Sequence, residues 1–286
     1  MKISTEINSI AKRIGEKKAI ELVAKAGFDA WDFSMFAMAK YDKTTGGVFD
    51  SDHPLHTNNY AAFAKELKYV ADEYGIVCNQ SHAPFPSIGK EMRYYLKRAI
   101  ECTAIVGGKI CVIHPENTKS AEENAEMYFE LLPFAKDHGV KIATENMWGW
   151  DKENDVASSA ACSHHDDFVK HLRAVNDPSF VACLDIGHAA MRGLNTSVRE
   201  MILALGADLQ ALHIHDNDLH RDNHQIPFSM KIDFNDMLLA LAEIDYKGYF
   251  TLEADTYLSK FSDDELYLGV KDLCASARRL ADNYKK

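Results

Sequence analysis

Short apolar runs alternate with longer amphipathic segments along the whole chain. The runs lack the strict alternation of a strand with one solvated face, which is typical of parallel strands covered on both sides. They predict eight β-strands separated by helices. The runs are MKIST (1–5), GFDAWDF (27–33), GIVCNQS (75–81), KICVIH (109–114), VKIATE (140–145), FVACLD (180–185), LQALHIH (209–215) and GYFTLE (248–253).

The segments between the runs carry signals for helix starts and stops. The segment 120–139 begins with Ser120 and has Glu123 three residues later, which is the spacing of a capping box. The segment 262–284 repeats this spacing, so we predict that both segments begin as capped helices. Pro133 lacks a backbone N–H, so it predicts a kink or break late in the first of these helices.

Eight consecutive β–α units predict an α/β fold, a single (β/α)8 TIM barrel whose active site lies at the C-terminal mouth. An open, doubly wound sheet is the alternative. Such a sheet usually carries a glycine-rich phosphate loop after its first strand, and EINSIAKRIG has none. We therefore expect no nucleotide cofactor. No linker rich in Gly, Pro or Ser divides the chain, so residues 1–286 are predicted to form one domain.

Six predicted strands in a row, the third to the eighth, end in an acid or an imidazole or are directly followed by one. In a barrel these ends converge on one mouth. Several acids placed together repel one another, and a divalent cation offsets that repulsion. Mixed carboxylate and imidazole ligands suit Zn²⁺, Mn²⁺, Co²⁺ or Fe²⁺. The residues are His82, His114, Glu145, Asp185, His215 and Glu253.

Three further residues are interpreted from strand periodicity or from the length of a connection. His213 lies two residues before His215 and therefore points to the same side of the strand, which predicts a hydrogen-bonded residue deeper in the barrel rather than a ligand. The long connection 146–167 contains Trp148 and Trp150. These rings are interpreted either as an apolar wall against a substrate ring or as a contact in a homo-oligomer.

Charge and the N-terminal segment narrow the range of partners. The chain has 32 Lys and Arg against 43 Asp and Glu, a formal net charge of −11. This balance disfavours nucleic acid and anionic membranes as general partners. The N-terminal segment lacks the apolar core and cleavage site of a signal peptide, and no apolar run is long enough to span a bilayer. We therefore expect a cytoplasmic protein with no membrane partner.

The candidate residues lie in short motifs whose order and spacing resemble a known superfamily. The chain is similar to the xylose isomerase-like barrels of sugar isomerases and epimerases, a superfamily that also contains the type-IV apurinic endonucleases. The resemblance covers essentially the whole chain. The motifs that carry it are SHAPF (81–85), VIHPE (112–116), ATEN (143–146), LDIGH (184–188), HIHDND (213–218), DNH (222–224) and TLEAD (251–255).

The resemblance implies a ligand set and two substrate contacts. Ketose 3-epimerases of this superfamily hold one divalent metal with residues that match Glu145, Asp185, His215 and Glu253. Residues that match His188 and Arg221 contact the substrate. The endonuclease branch holds three zinc ions with nine residues, and this chain matches all nine. Beyond the four metal positions above, these are His82, His114, His188, Asp222 and His224.

The loop after this motif departs from the family pattern. The run PFSMKIDF (227–234) keeps Pro227 but has Phe228 and Met230 where the family has glycines. Glycines allow the backbone to approach a ligand closely. The family's substrate contact in this loop is therefore not expected here in its usual form.

The leading hypothesis is a metal-dependent isomerase or epimerase of a small-molecule sugar or sugar phosphate. A metal that chelates a carbonyl and an adjacent hydroxyl would stabilise an enediolate. Glu145 and Glu253 would then remove and return a proton on opposite faces, and His188 would polarise the carbonyl. Trp148 is a further candidate contact to the substrate.

Three alternatives stay open. The complete nine-residue set fits a multi-zinc phosphodiesterase that acts on damaged DNA, although the acidic charge opposes it. The same base and metal would also serve a dehydratase of an inositol-like ring. A non-enzymatic sugar-binding module is the third alternative, but binding alone does not require two acids opposed across a metal.

Overall fold

The computed structural model describes residues 1–284 and contains eight parallel strands that lie side by side in chain order. Together they form a nearly closed barrel. The last gap, between the seventh and eighth strands, is bridged at Ile214 and Leu252. The strands are β1 (Ile3–Glu6), β2 (Ala30–Ser34), β3 (Val77–His82), β4 (Ile110–Val112), β5 (Lys141–Glu145), β6 (Phe180–Asp185), β7 (Leu209–His213) and β8 (Phe250–Leu252).

The barrel confirms the predicted α/β fold, and each predicted strand is present. The run 180–185 matches β6 in full, and every residue of β6 is buried. Such complete burial is expected of parallel strands that face the barrel interior on one side and helices on the other. Strand β7 ends at His213, so His215 lies in the connection just beyond the ladder.

Helices surround the barrel and return the chain from the end of one strand to the start of the next. The larger apolar side chains pack between the strands and these helices. Within the described residues the α-helices are Asn8–Ile14, Glu16–Ala26, Tyr60–Glu73, Lys90–Ile105, Ala121–Asp137, His165–Val175, Ile186–Ala190, Val198–Leu205, Phe234–Glu243, Asp255–Leu258 and Leu266–Asn283.

The two predicted capping boxes have different outcomes. Ser120 caps the helix Ala121–Asp137 with both reciprocal hydrogen bonds of the motif. Ser262 also bonds to Glu265, with its Oγ donating to Oε2 at 2.8 Å. The last helix nevertheless begins only at Leu266, so the prediction of a helix start at Ser262 is wrong. The Ser–Glu contact stabilises a turn before the helix instead.

Pro133 does not break its helix, which continues to Asp137. The proline is exposed, so the carbonyl that lacks an N–H partner can be hydrated at the helix surface. The long connection 146–167 is also more ordered than its sequence suggests. It contains an antiparallel hairpin in which Gly149–Asp151 pairs with Val156–Ser158.

The barrel interior below the mouth is polar. Ser4 Oγ donates to Asn79 Oδ1 at 2.6 Å, and Asn79 Nδ2 donates to Thr251 Oγ1 at 3.0 Å. One layer higher, Gln80 Nε2 donates to Asp32 Oδ2 at 2.9 Å. These bonds satisfy buried polar groups and fix the layers of side chains directly below the mouth residues. Within residues 1–284, no helix has both the length and the apolar character that crossing a membrane requires.

Candidate metal centre

The strand ends bring all nine acids and imidazoles singled out in the sequence to one mouth. His82, Glu145 and Asp185 are the last residues of β3, β5 and β6. The others follow closely after a strand or lie in the connections at the same end of the barrel. Residues from distant parts of the chain therefore meet because parallel strands finish at a common rim.

One group of ligands lies at the ends of β3, β4 and β5. His82 Nε2 is 2.7 Å from His114 Nε2, and Glu145 Oε2 is 3.3 Å from the first nitrogen and 3.1 Å from the second. Glu145 and His82 are almost fully buried. We call these three residues the first ligand group. Their donor atoms lie close enough together to share one ion.

A second ligand group lies at the ends of β6 and β7. Its donor atoms all lie within 4.8 Å of one another, and its members are His188, His215, Asp222 and His224. Asp222 Oδ2 is 3.3 Å from His188 Nε2 and 3.1 Å from His224 Nε2. Asp185 joins this group, because its Oδ1 lies 3.1 Å from His215 Nε2.

Glu253 lies between the two groups. Its Oε2 is 3.6 Å from His213 Nδ1, and its backbone carbonyl accepts a hydrogen bond of 2.7 Å from His224 Nδ1. His82, His213 and Glu253 also hold donor atoms within 4.8 Å of one another. The four residues of the predicted single-metal set thus lie in one mouth, although Glu145 belongs to the first group, Asp185 and His215 belong to the second, and Glu253 belongs to neither.

Several buried atoms at the mouth that could bind a metal make no hydrogen bond of acceptable geometry. They include Asp185 Oδ2, Asp222 Oδ1 and both ring nitrogens of His215, although its Nε2 lies 3.1 Å from Asp185 Oδ1. A buried polar atom without a partner costs free energy, and a cation in contact with these atoms would remove that cost. A set of imidazole nitrogens and carboxylate oxygens suits Zn²⁺, Mn²⁺, Co²⁺ or Fe²⁺. The residues present therefore fit a divalent metal.

Gly187 leaves the space that His215 occupies. A Cβ atom at position 187 would lie 1.8 Å from His215 Cε1, which is far inside van der Waals contact. Asn217 Nδ2 donates to the Gly187 carbonyl at 2.8 Å and holds the two connections together. The glycine of the LDIGH motif is thus required by the position of a ligand and not by its backbone torsion.

Burial and charge separate the pKa values of the two glutamates. Burial raises the pKa of Glu145, but the imidazoles of His213 and His114 outweigh it and hold the pKa well below its ordinary value. Burial raises the pKa of Glu253 to about 8. Burial also lowers the pKa of His188, yet Asp185 and Asp222 outweigh it and raise the pKa to about 10. Carboxyl groups separated in this way are typical of acid and base pairs.

His213 points into the barrel below the ligands, as its spacing from His215 predicts. Its Nδ1 lies 3.2 Å from Glu145 Oε1, and its Nε2 lies 3.2 Å from Asp32 Oδ2. The sequence reasoning missed Asp32. The available signal was a charged residue inside the apolar run GFDAWDF, which a buried strand does not carry without a partner.

The two other predicted substrate contacts lie at the rim. The Trp148 ring is 6.3 Å from the His188 ring and 6.2 Å from the Trp150 ring. Arg221 lies farther out, with its guanidinium 4.1 Å from the Trp150 ring centre and one nitrogen 2.7 Å from Asp155 Oδ1. The structure thus brings Trp148 to the mouth and places Arg221, half exposed, against the hairpin.

Phe228, at a position where the resemblance predicts glycine, has a positive φ of 69°. This left-handed conformation is unfavourable for a bulky residue. The Phe228 ring packs 5.0 Å from Phe234, and the Arg279 guanidinium lies 3.9 Å above it. Packing on the ring therefore holds the loop in the conformation that glycine adopts more easily.

Comparison with known proteins assigns the family. The family model described as xylose isomerase-like TIM barrel matches residues 20–268, so the chain belongs to that family. A curated relative, an uncharacterised protein of Methanocaldococcus jannaschii, is 23% identical over 253 residues, which cover 82% of this chain and 78% of the relative.

Two solved structures show the same fold over nearly the whole chain. A D-tagatose 3-epimerase-like protein has a TM-score of 0.72 at 20% identity and covers 99% of this chain and 97% of its own. The IolI protein with a bound zinc atom has a TM-score of 0.73 at 18% identity, with both chains covered in full at 100%. The similar structures thus include sugar epimerases and a zinc-binding barrel.

Proposed function

We propose that this protein is a metal-dependent isomerase or epimerase of a sugar. The observation that carries the proposal is the pair Glu145 and Glu253, whose carboxylates lie 3.2 Å and 3.6 Å from the same nitrogen of His213. Two carboxylates held together among unpartnered ligand atoms are the groups that a two-base proton transfer requires. The sugar epimerases among the structural neighbours support the same reaction class.

The ligand set proposed for the metal is Glu145, Asp185, His215 and Glu253. The remaining residues of the two ligand groups form a second set for further ions. When bound, the metal would polarise a carbonyl and the adjacent hydroxyl of a sugar, which makes the C–H bond at the hydroxyl-bearing carbon more acidic.

Glu145 and Glu253 are proposed to move the proton. Glu145, at the end of β5, would accept the proton from carbon, and Glu253, directly after β8, would supply one to the opposite face. One proton leaves the substrate and one returns, so the net reaction inverts or relocates a stereocentre without consuming a co-reactant. The roles reverse for the opposite direction of the reaction.

His188 is proposed to bind the substrate oxygen on the other side of the mouth. Its Nδ1 donates to the Asn146 carbonyl at 2.9 Å, which fixes the ring and leaves Nε2 facing Asp222 and the mouth. Trp148 lies beside this ring and is proposed as an apolar wall. Arg221 would reach a substrate only after leaving Asp155.

Solvent exchange tests the proposal without knowledge of the natural sugar. Ketohexoses are incubated with the protein in D₂O with Zn²⁺, Mn²⁺, Co²⁺ or Fe²⁺, and deuterium at carbon is followed by NMR. Glu145→Gln and Glu253→Gln should each slow the formation of deuterated product, which requires both carboxylates, about 100-fold or more. Glu66→Gln, a change in a surface ion pair with Lys17, is the matched control. Formation of the deuterated product at the normal rate in either mouth variant would contradict the two-glutamate scheme.

A multi-zinc phosphodiesterase is the second candidate, because all nine residues expected for it lie in one mouth. The charge of −11 opposes binding to DNA. Incubation of the zinc-loaded protein with a duplex that contains one abasic site separates the two candidates. Cleavage at that site that depends on His188 and Asp222 would favour the nuclease.

A further inference from the structure

A cavity of about 450 Å³ opens beside the ligand groups. Its size falls within the range of roughly 300–1,000 Å³ that is usual for small-molecule sites. The connections after β2, β3 and β4 form it, so it lies on the same face of the barrel as the mouth. The lining residues used below are Tyr41, Lys43, Phe85, Ile88, Glu116 and Asn117.

This cavity, the side pocket, borders the mouth at Phe85. The Phe85 ring lies 4.6 Å from the ring of His114, which belongs to the first ligand group. On the same side of the mouth, the Phe36 ring lies 4.6 Å from the ring of His82. A molecule bound at the ligands therefore meets aromatic rings in the direction of the side pocket.

The walls of the side pocket combine exposed apolar surface with a few polar groups. Phe85 and Ile88 are 39% and 40% exposed although both are large and apolar. Lys43, Glu116 and Asn117 supply the polar groups of the wall. Aromatic faces with isolated polar groups suit the C–H faces and hydroxyls of a sugar ring.

The charges do not favour a phosphate in the side pocket. Lys43 is the cation among its lining residues, and Glu116 adds a carboxylate. Glu116 already accepts from Arg93 at 3.0 Å and from Lys119 at 2.9 Å, which fixes it in the wall. Phosphate sites need several converging donors, and the lining does not supply them.

We infer that the side pocket binds a second sugar ring that is attached to the sugar reacting at the mouth. The inference rests on the proposed function, because it assigns the far part of that same substrate. It identifies the substrate class as a glycosylated sugar rather than a free monosaccharide. Phe85 would contact the second ring and set the preference for it.

Matched sugars test the inference by binding, which requires no turnover. The probes are D-fructose and two disaccharides in which fructose carries a second ring, isomaltulose and lactulose. Their affinities for the zinc-loaded protein are measured by saturation-transfer NMR. The disaccharides should bind about tenfold more tightly than fructose, the factor that corresponds to one aromatic contact.

Variants assign this preference to the side pocket. Phe85→Ala should remove the advantage of the disaccharides, and Ile88→Ser should reduce it. Phe129→Ala is the control, since that ring is 54% exposed on the helix Ala121–Asp137 and lies outside the site. Equal binding of fructose and both disaccharides, or an advantage that survives Phe85→Ala, would overturn the inference.

Deuterium exchange on the same probes separates this inference from the proposed function. Binding that depends on Phe85 without exchange at carbon would support the side pocket and count against the isomerase. Exchange in fructose and the disaccharides at equal rates and affinities would support the isomerase and overturn the side pocket.

Discussion

His213 Nε2 lies 3.2 Å from Asp32 Oδ2, and both side chains are almost completely buried inside the barrel. A carboxylate oxygen only accepts, so Nε2 carries the proton of this bond. The second oxygen of Asp32 has no hydrogen-bond partner. Such a costly arrangement indicates a role beyond stability, and the other nitrogen of His213 faces Glu145.

Removing the charge of Asp32 should weaken the reaction without removing the ligands. Asp32→Asn leaves a side chain of the same shape, but it holds the His213 ring less firmly, so Glu145 loses its fixed position. Changes of this kind next to metal ligands cost about 10–100-fold in activity or metal affinity. Deuterium exchange and metal content are measured together, with Asp72→Asn on the surface as control. Unchanged rates and metal content would show that Asp32 is only structural.

Gly187→Ala should expel or displace His215. The added methyl group would lie 1.8 Å from the His215 ring, so the ring must move and the second ligand group loses a member. We expect a large loss of bound zinc per chain, measured by mass spectrometry after dialysis. Gly139→Ala is the control, since no atom lies within 4 Å of the added Cβ and its φ of 65°, which is unfavourable for alanine, tests the effect of backbone strain alone. Zinc retention in Gly187→Ala at the level of the parent protein would argue against the ligand role of His215.

Metal binding should raise thermal stability through the same ligands. A ligand that binds only the folded state stabilises it by about 3 kcal/mol at a concentration of 100 times Kd. Protein stripped with a chelator should therefore melt at a lower temperature, and added Zn²⁺ should restore the melting point. Asp185→Asn should lose most of this response. A melting temperature that is insensitive to every divalent metal would contradict the metal centre.

Glu6 should make stability depend on pH. It is 5% exposed at the end of β1, and burial raises its pKa from 4.5 to about 7. Between these values the folded state binds a proton that the unfolded state releases, so stability falls as pH rises through this window. The loss is at most about 3 kcal/mol.

Glu6→Gln removes this titration. The free energy of unfolding of the variant minus that of the parent protein should be larger at pH 8 than at pH 5, because glutamine carries no charge that must be buried. Urea unfolding at the two pH values measures the gain. Ser9 donates to Glu6 through its N–H, and glutamine can still accept that bond. An equal difference between the two proteins at both pH values would refute the assignment.

The eight strands and the ligand ends of the barrel follow from simple rules. Apolar runs of a buried strand, each finished by an acid or imidazole, are sufficient to place Glu145 and Asp185 at one rim. Period-two geometry is likewise sufficient to predict that His213 points inward with His215. These features are local in sequence, and closure of the barrel brings the strand ends that carry them close together.

Other features depend on contacts that the sequence does not reveal. Asp32 lies in an apolar run and pairs with His213, which is 181 residues away. The hairpin in 146–167 forms through three residue pairs whose strands are too short to show a pattern. The Ser262 and Glu265 signal also closes a turn, with Glu265 N donating to the Ser262 carbonyl at 3.1 Å, and the sequence does not reveal that the helix starts only after it, at Leu266.

The bridge between Ile214 and Leu252 gives the barrel a seam with a chemical consequence. Two backbone hydrogen bonds hold it near the rim, from Ile214 N to the Thr251 carbonyl at 2.9 Å and from Glu253 N to the Ile214 carbonyl at 3.0 Å. His215 directly follows Ile214 on one side of this bridge, and Glu253 directly follows Leu252 on the other. An ion bound by both side chains would stabilise the pairing of β7 with β8, which is held by this single bridge. Amide protons of the two strands near the bridge should therefore exchange with solvent more slowly once the ion is present.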